Sequence, residues 1–199
     1  MDLFEALPYE QRWVDLPNGR LLWLDNFIPS NEADELMSSL KLETPWTQER
    51  IQLFGRSVLQ PRLQAWYGDK SYTYSGLTMP AMPMTERLQS VKSRCEGVAN
   101  QRFNSVLLNL YRDGQDSMGA HQDNEPELGQ NPTIASLSLG ATRRFTLKHL
   151  HTGQNHDIEL SHGSLLIMAG EMQHHWKHSL PKTNQSIGER INLTFRTIF

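Results

Sequence analysis

The chain has 199 residues and a mass of 22.9 kDa, which is the length of about one domain. Apolar residues make up 38% and charged residues 21%, the composition of an ordinary soluble globular protein. The net charge of −3 argues against a protein held to nucleic acid by bulk positive charge, and the single cysteine, Cys95, excludes an internal disulfide and favours a reducing compartment.

The N-terminal sequence sets our expectations for localisation. Residues 1–5 lack the basic region and the apolar run of a secretory signal. No apolar run approaches the roughly 18 residues that span a membrane. We therefore expect an intracellular protein, cytoplasmic or, in a eukaryote, nuclear, with no membrane partner. As a separate expectation, the protein acts as a monomer.

The charge is unevenly distributed along the chain. Residues 1–45 carry 3 basic and 9 acidic side chains, a net charge of −6, whereas residues 46–96 carry 7 basic and 4 acidic side chains, a net charge of +3. Residues 97–199 are neutral, with 9 side chains of each sign. The middle segment is therefore the candidate surface for an anionic partner.

Two amphipathic helices are predicted in the first half of the chain. The first follows Pro29-Ser30, where apolar residues recur at helical spacing at Ala33, Leu36, Met37 and Leu40. The second follows Pro83, and its apolar stripe consists of Met84, Leu88, Val91, Cys95 and Val98. Both stripes are typical of core-facing surfaces, so we expect Cys95 to be a buried apolar residue and not a nucleophile.

Beyond residue 100 the pattern changes to short apolar runs and period-two alternation, which predicts strands. The predicted strands cover 106–111, 134–139, 144–148, 157–160, 164–168 and 191–198. Many short strands with Gly and Pro turns are typical of a jelly-roll or barrel. The segment 46–82, which is rich in Gly, Pro, Trp and Tyr, shows no clear period.

The motif His121-Gln122-Asp123 is the first candidate for chemistry. On a strand, residues i and i+2 point the same way, so this imidazole and this carboxylate would converge on one point. A third ligand would come from the histidines near 174–178, and two His with one carboxylate form the facial triad of non-haem Fe(II) oxygenases. The alternative for the motif alone is a surface loop.

The C-terminal segment Arg190–Arg196 alternates polar and apolar residues. Its polar residues, Arg190, Asn192, Thr194 and Arg196, would all face the same way. Inside an all-β shell two such arginines need anionic partners, because an unpaired buried charge is very costly. A dicarboxylic cosubstrate would satisfy both guanidinium groups. The alternative is the solvated face of an edge strand.

Four segments together resemble the AlkB family of Fe(II)- and 2-oxoglutarate-dependent nucleic-acid dealkylases. In the order and spacing of that family they are Asn109-Leu110-Tyr111, His121-Gln122-Asp123, His178-Ser179-Leu180-Pro181 and Arg190–Arg196. The resemblance extends from about residue 50 to the C-terminus and is strongest to the subgroup with the human AlkB homologues 2 and 3.

This resemblance implies an α+β fold, in which a double-stranded β-helix core (a cupin-like jelly-roll) carries N-terminal helices and a nucleotide-recognition lid. We predict one domain over residues 1–199. Residues 1–45 would form an N-terminal extension and helix, 46–82 the lid, 83–99 a supporting helix and 100–199 the dioxygenase core.

The resemblance also implies the residues that bind the cofactors Fe(II), 2-oxoglutarate and O2. Three residues match the iron ligands: His121, Asp123 and His178. Five residues match the 2-oxoglutarate site: Asn109, Tyr111, Arg190, Asn192 and Arg196. We expect Arg190 to pair with the distal carboxylate and Arg196 with the metal-proximal one. His174 and His175 do not match and are expected to be structural or surface histidines.

Substrate-binding positions of the family match Phe54, Arg62, Tyr72, Tyr74, Ser75 and Glu125. Phe54, at the tip of a predicted hairpin finger, would wedge into the base stack when a base is flipped out. Tyr74 would stack on that base opposite His121. For Phe54 and the tyrosines, a place in the hydrophobic core is the alternative.

The remaining matches concern the DNA and the damaged base. Arg62 matches a DNA-contacting arginine, and Tyr72 matches a contact to the DNA backbone or the base edge. Glu125 matches an acid that contacts the damaged base, and a carboxylate suits the positive charge of 1-methyladenine or 3-methylcytosine. Asn124 stands where close relatives often have a second acid, which leaves the base preference open.

The function that the resemblance implies is oxidative demethylation of N-alkylated bases in DNA, with release of formaldehyde, succinate and CO2. Alternatives are the same chemistry on RNA or on a small molecule, and a jelly-roll module that holds a metal without turnover. The triad and the arginine pair argue against such a module. The lid, with Phe54 and Arg62, argues against a free small molecule.

Overall fold

The computed structural model describes residues 13–53, 55–74 and 77–199. The α-helices of the described residues are α1 (Ser30–Glu43), α2 (Glu86–Ala99) and α3 (Met172–His175). Their strands are β1 (Val14–Leu16), β2 (Gly19–Leu24), β3 (Arg50–Leu53), β4 (Arg56–Leu59), β5 (Leu63–Gly68), β6 (Tyr72–Tyr74), β7 (Leu77–Met79), β8 (Ser105–Tyr111), β9 (Met118–His121), β10 (Ile134–Gly140), β11 (Arg143–His149), β12 (Asn155–Leu160), β13 (Leu165–Ala169), β14 (Trp176–Leu180) and β15 (Arg190–Arg196).

Two antiparallel sheets form the body of the protein. The larger has the strand order β1-β2-β13-β10-β15-β8-β5, and the smaller has the order β12-β11-β14-β9. One buried cluster combines side chains of both sheets, including Ile134 and Leu166 of the larger and Phe145 and Trp176 of the smaller. This cluster lies between the sheets, so the predicted jelly-roll core is confirmed.

Helices α1 and α2 cover the other face of the larger sheet. A second cluster joins Leu36 of α1 and Val91 of α2 to Leu108 and Leu193 of the sheet. The predicted second helix begins at Glu86, after Met84, because the Thr85 hydroxyl caps it by accepting the Leu88 N–H at 3.2 Å. No helix among the described residues is long and apolar enough to cross a membrane.

The interpretation of Cys95 as a core residue is confirmed. Its side chain is fully buried on α2 within the cluster beneath the larger sheet. Burial raises the pKa of the Cys95 thiol to about 12, far above the range in which a thiolate nucleophile forms.

Two strands precede α1, and neither was predicted from the sequence. We expected only an extension and a helix in residues 1–45, but β2 pairs with β13 and lies inside the larger sheet. Its apolar run reflects burial on both faces, because Leu21 joins the cluster between the sheets and Leu22 joins the cluster under the helices.

Strand β15 lies between β10 and β8, and all seven of its residues are buried. The alternative of a solvated edge strand is therefore wrong. Ile191, Leu193 and Phe195 pack into the cluster under the helices, so the polar residues of β15 face the smaller sheet. The strand ends at Arg196, two residues before the predicted end at Ile198.

Residues 46–82 contribute two hairpins and a sheet strand. β3 pairs with β4, and β6 pairs with β7, whereas β5 joins the edge of the larger sheet beside β8. The predicted substrate residues Phe54 and Ser75 lie outside the described residues. Tyr74 lies at the end of β6, opposite Leu77.

Candidate metal and cosubstrate site

Two histidines and one aspartate meet between the two sheets. His121 ends β9 and is the direct cross-strand partner of His178 on β14, with ring centroids 4.2 Å apart. Asp123 follows β9 by two residues. One ligand atom from each side chain lies within 4.8 Å of the others, which brings together the three residues that the sequence indicated.

The electrostatics of the cluster favour the protonation states that a metal requires. Burial and the neighbouring His121 lower the pKa of His178 to about 3, so its imidazole is neutral. Burial alone would raise the pKa of the Asp123 carboxyl. Arg196, whose Nη2 lies 3.3 Å from Asp123 Oδ2, and the hydrogen bond with His121 hold that pKa well below its usual range instead. Metals bind neutral imidazoles and ionised carboxylates.

The donor set fits the metal that the resemblance implies. The Nδ1–H of His121 donates to the carbonyl of Gly119 at 2.9 Å, which leaves Nε2 turned toward Asp123 at 3.5 Å. Two imidazole nitrogens and one carboxylate on one side of an ion form the facial arrangement that suits non-haem Fe(II) and keeps other coordination positions open.

Strand β15 carries two buried arginines, of which Arg196 contacts this cluster. The Nη2 of Arg190 donates to the Ser138 hydroxyl at 2.9 Å, and its guanidinium lies 5.4 Å from the ring centre of Tyr111. Among the described residues, the Nε atoms of Arg190 and Arg196 are buried and have no hydrogen-bond partner. Such orphaned cationic donors fit a ligand with carboxylates at both ends, as the cosubstrate interpretation requires.

The two asparagines of the predicted cosubstrate set face each other across β8 and β15. Asn109 Oδ1 accepts the Nε–H of Arg62 at 2.8 Å. Asn192 Nδ2 donates to the Ser136 hydroxyl at 2.8 Å. Both side chains line the pocket that contains the His-Asp-His cluster. Six of the predicted residues thus line one pocket: Asn109, His121, Asp123, His178, Asn192 and Arg196. Tyr111 and Arg190 contact each other outside its lining.

Arg62, which matches a DNA-contacting arginine of the family, is buried in the wall of this pocket. Its side chain is 5% exposed and lines the same pocket, where it holds Asn109 and approaches the carbonyl of Ser117 at 3.5 Å. Arg62 immediately precedes β5, which joins the larger sheet, and its contact with DNA stays a prediction. Its position suits fixing the pocket wall.

Tyr72 is also buried and lines the same pocket, and its contact to the DNA backbone or the base edge stays a prediction. Its ring stacks on Trp66 at 4.8 Å, and the guanidinium of Arg196 lies 5.6 Å from the ring centre. Burial raises the pKa of the Tyr72 hydroxyl, and a hydrogen bond to Glu125 raises it further. The Oε2 of Glu125 is buried without a partner among the described residues. Tyr72 therefore lies against Arg196 in the wall of the pocket that contains the His-Asp-His cluster.

Two serines of this site were not identified from the sequence. Ser136 and Ser138 alternate along β10 and accept the side-chain N–H groups of Asn192 and Arg190. The available indication was the pair of hydroxyls inside an otherwise apolar strand, because a buried hydroxyl in a strand needs a partner. That indication could not identify the partners, which lie on β15.

Outside the site, the histidines of the smaller sheet are structural, with His149 the most constrained. Its Nδ1 accepts the backbone N–H groups of His151 and Thr152 at 3.2 and 3.1 Å. Burial lowers the pKa of His149 below its ordinary value of 6.5, and the nearby imidazoles of His151 and His175 lower it further. His174 is exposed, and His175 approaches Glu171 at 3.5 Å.

We expect this histidine to make the metal-free protein less stable in mild acid. The unfolded chain binds the proton of His149 more readily than the folded protein does. The free energy of unfolding is therefore fully maintained above about pH 6.5 and falls as the pH drops below it. Urea unfolding in a chelator at about pH 7.5 and about pH 5.5 measures this fall. His149→Asn, which keeps an acceptor that does not titrate, should show a smaller fall, and an equal fall would contradict the assignment.

The chain is similar to a known protein family and to individual proteins with related names. The family described as the 2OG-Fe(II) oxygenase superfamily matches residues 20–196. The Mus musculus protein named alpha-ketoglutarate-dependent dioxygenase alkB homolog 3 is 43% identical over 195 residues, which cover 92% of this chain and 68% of that protein. The Homo sapiens protein named DNA oxidative demethylase ALKBH2 is 41% identical over 180 residues, which cover 84% of this chain and 69% of that protein.

A solved structure supports the fold independently. The chain described as "The structure of OsALKBH1" superimposes with a TM-score of 0.63 and covers 92% of this chain and 100% of its own. Its sequence is 16% identical, so the likeness concerns the fold alone.

Proposed function

This chain belongs to the 2OG-Fe(II) oxygenase superfamily and, within it, to the AlkB family, and we propose that it removes N-methyl groups from 1-methyladenine and 3-methylcytosine in DNA. One observation carries the proposal: a His-Asp-His cluster contacts the buried Arg196, and the Nε donors of Arg196 and of Arg190 on the same strand are unsatisfied among the described residues. The relative named DNA oxidative demethylase supports DNA as the substrate.

Each residue of the proposed site has a role that follows from its position. His121, Asp123 and His178 hold Fe(II). Arg190 binds the distal carboxylate of 2-oxoglutarate, assisted by Tyr111, and Arg196 binds the metal-proximal carboxylate. Asn109 and Asn192 line the pocket between them. When bound, iron with 2-oxoglutarate and O2 supplies the oxidation that hydroxylates the methyl carbon and yields succinate and CO2.

The substrate would enter at the lid side of the pocket. Glu125, which carries an unsatisfied carboxylate oxygen, would contact the cationic methylated base. Tyr74 would stack on the flipped base, with Ser75 beside it in the lid. Hydroxylation of the methyl group gives an unstable product that releases formaldehyde without a protein nucleophile.

A substrate panel tests the proposal. The protein is incubated with Fe(II), 2-oxoglutarate and oligonucleotides that carry 1-methyladenine or 3-methylcytosine in single-stranded DNA, duplex DNA and RNA, and formaldehyde and restored base are measured. We expect restored base in DNA. Restoration in RNA alone would replace DNA by RNA as the substrate, and consumption of 2-oxoglutarate with no restoration anywhere would contradict a nucleic-acid substrate.

We also propose that the protein acts as a monomer, because every residue assigned to the site comes from one chain. Sedimentation of the active protein measures the state directly. Activity confined to a dimer would contradict this proposal.

Phe54 provides a test of how the protein opens a duplex. If Phe54 wedges into the base stack from the β3–β4 hairpin, Phe54→Ala should lower repair of duplex DNA by about tenfold and leave single-stranded DNA less affected. Initial rates on matched single-stranded and duplex oligonucleotides measure the difference. Equal losses on both would indicate that Phe54 serves local packing.

A further inference from the structure

The backbone of the proposed metal ligand Asp123 is tied to a distant glutamine. The N–H of Asp123 donates to Oε1 of Gln173 at 3.0 Å, although the two residues are 50 positions apart. Gln173 also accepts at its main chain, where its carbonyl receives the Nε2–H of Gln122 at 2.9 Å. Two hydrogen bonds, both donated by the His-Gln-Asp motif and accepted by Gln173, therefore join the motif to α3.

Gln173 is itself held firmly. Its side chain is 1% exposed, and its Nε2 approaches the sulfur of Met168 at 3.8 Å. The residue before it on α3, Met172, is buried in the cluster between the sheets. Just after α3, the indole N–H of Trp176 donates to the carbonyl of Pro17 at 2.8 Å. The acceptor oxygen of Gln173 is thus fixed by core packing.

Asp123 needs such support more than the two histidines do. His121 and His178 lie on paired strands, where sheet hydrogen bonding sets their positions. Asp123 lies after the end of β9 and has no strand partner. Its carboxylate contacts His121 and Arg196, and its backbone N–H is bonded to Gln173. The Gln173 hydrogen bond therefore fixes the backbone from which this ligand extends.

We propose that Gln173 is a positioning residue that holds the Asp123 carboxylate in ligand geometry through the Asp123 backbone. The inference rests on the proposed function, because it takes Asp123 as a metal ligand. Since α3 runs directly into β14, one short stretch of chain carries both the His178 ligand and the residue that aligns Asp123. Outer-shell partners of this kind typically change metal affinity by roughly 10- to 100-fold when removed.

Metal affinity without turnover tests the role of Gln173. Gln173→Met keeps the length and apolar packing of the side chain but removes the carbonyl acceptor. Binding of Co(II), which neighbours Fe(II) in the affinity order, is measured by calorimetry and by its visible absorption, in the absence of O2, 2-oxoglutarate and DNA. We expect Gln173→Met to bind Co(II) roughly 10- to 100-fold more weakly than the parent.

Two variants serve as matched controls. Gln173→Glu retains an oxygen that accepts the Asp123 N–H, so it should bind Co(II) at least as tightly as the parent. His174→Ala removes an exposed neighbouring side chain of α3 and should also match the parent. Thermal unfolding of each metal-free protein shows whether the fold is retained.

The outcomes separate this inference from the function on which it rests. Equal Co(II) affinity in folded Gln173→Met and the parent would overturn the role of Gln173. No Co(II) binding by the parent would overturn the metal site and with it the proposed function. If Gln173→Met does not fold, Gln173→Asn replaces it. Its shorter amide does not reach Asp123, and an affinity equal to that of Gln173→Glu would overturn the inference.

Discussion

Replacement of His178 by alanine is expected to abolish demethylation almost completely. The imidazole of His178 is buried and neutral and lies directly opposite His121, so alanine removes one of three proposed ligands. Removal of an outer-shell partner already costs roughly 10- to 100-fold, and loss of a ligand should lower the demethylation rate by at least about 100-fold. Formaldehyde release from a 1-methyladenine oligonucleotide, measured at saturating 2-oxoglutarate, gives the rate.

A neighbouring histidine provides the control for this variant. His174 is exposed and lies on α3, just before the strand β14 that carries His178, but the motif of the family does not include it. His174→Ala should therefore keep the parental rate. A His178→Ala protein as active as the parent would contradict the iron assignment, whereas inactivity of both variants would point to disruption of α3 and β14.

Replacement of Arg190 by methionine is expected to weaken the binding of 2-oxoglutarate strongly. Arg190 is 2% exposed, and burial lowers the pKa of its guanidinium to about 10, which still leaves it charged at neutral pH. Loss of a buried charge pair with a ligand typically costs about 2–5 kcal/mol. We therefore expect about a hundredfold weaker binding of 2-oxoglutarate, equivalent to about 2.7 kcal/mol.

The same substitution should affect the empty protein differently. Without cosubstrate, Arg190 is a buried cation with an unsatisfied Nε, so an apolar replacement should not lower the free energy of unfolding. Stabilisation by 2-oxoglutarate with Co(II) should largely disappear, because it depends on the dissociation constant. Urea unfolding without these ligands measures the free energy of unfolding of the empty protein, and urea unfolding with them measures the stabilisation that they add.

Arg87 on the outer helix α2 supplies the matched arginine. Its guanidinium forms a solvent-exposed pair with Glu43 at 3.8 Å and does not line the pocket of the site, so Arg87→Met should bind 2-oxoglutarate like the parent. Parental 2-oxoglutarate affinity in Arg190→Met would show that this arginine does not bind the cosubstrate.

The parts of the site that the sequence predicts are those that depend on local periodicity. The i, i+2 spacing of His121 and Asp123 describes the end of β9 and the chain that follows it, and the alternation along Arg190–Arg196 describes a second strand. The structure brings these segments together as that periodicity requires. Motif order then placed His178 with them, since the resemblance includes all three segments.

The parts that were missed depend on pairing between distant segments. The inward position of Arg62 follows from β5 joining the larger sheet, and the role of β2 follows from its pairing with β13. Gln173 meets Asp123 because α3 packs between the sheets. Nothing in the residues flanking these positions indicates their partners, because long-range register is set by the whole core.

The net charge of the whole chain conceals an uneven distribution of charge along the sequence. The acidic excess lies in residues 1–45, whereas the segment 46–96 is net positive. A net charge of −3 therefore argues against non-specific adhesion to nucleic acid, but it is compatible with local capture of one flipped base.

The mass of a single methylated oligonucleotide tests most directly whether the protein demethylates DNA. A DNA oligonucleotide that carries one 1-methyladenine is incubated with the protein, Fe(II) and O2, with and without 2-oxoglutarate, and is analysed by mass spectrometry. We expect a 2-oxoglutarate-dependent loss of the mass of one CH2 group, matched by an equal amount of formaldehyde. An unchanged oligonucleotide mass, while 2-oxoglutarate is converted to succinate, would contradict it.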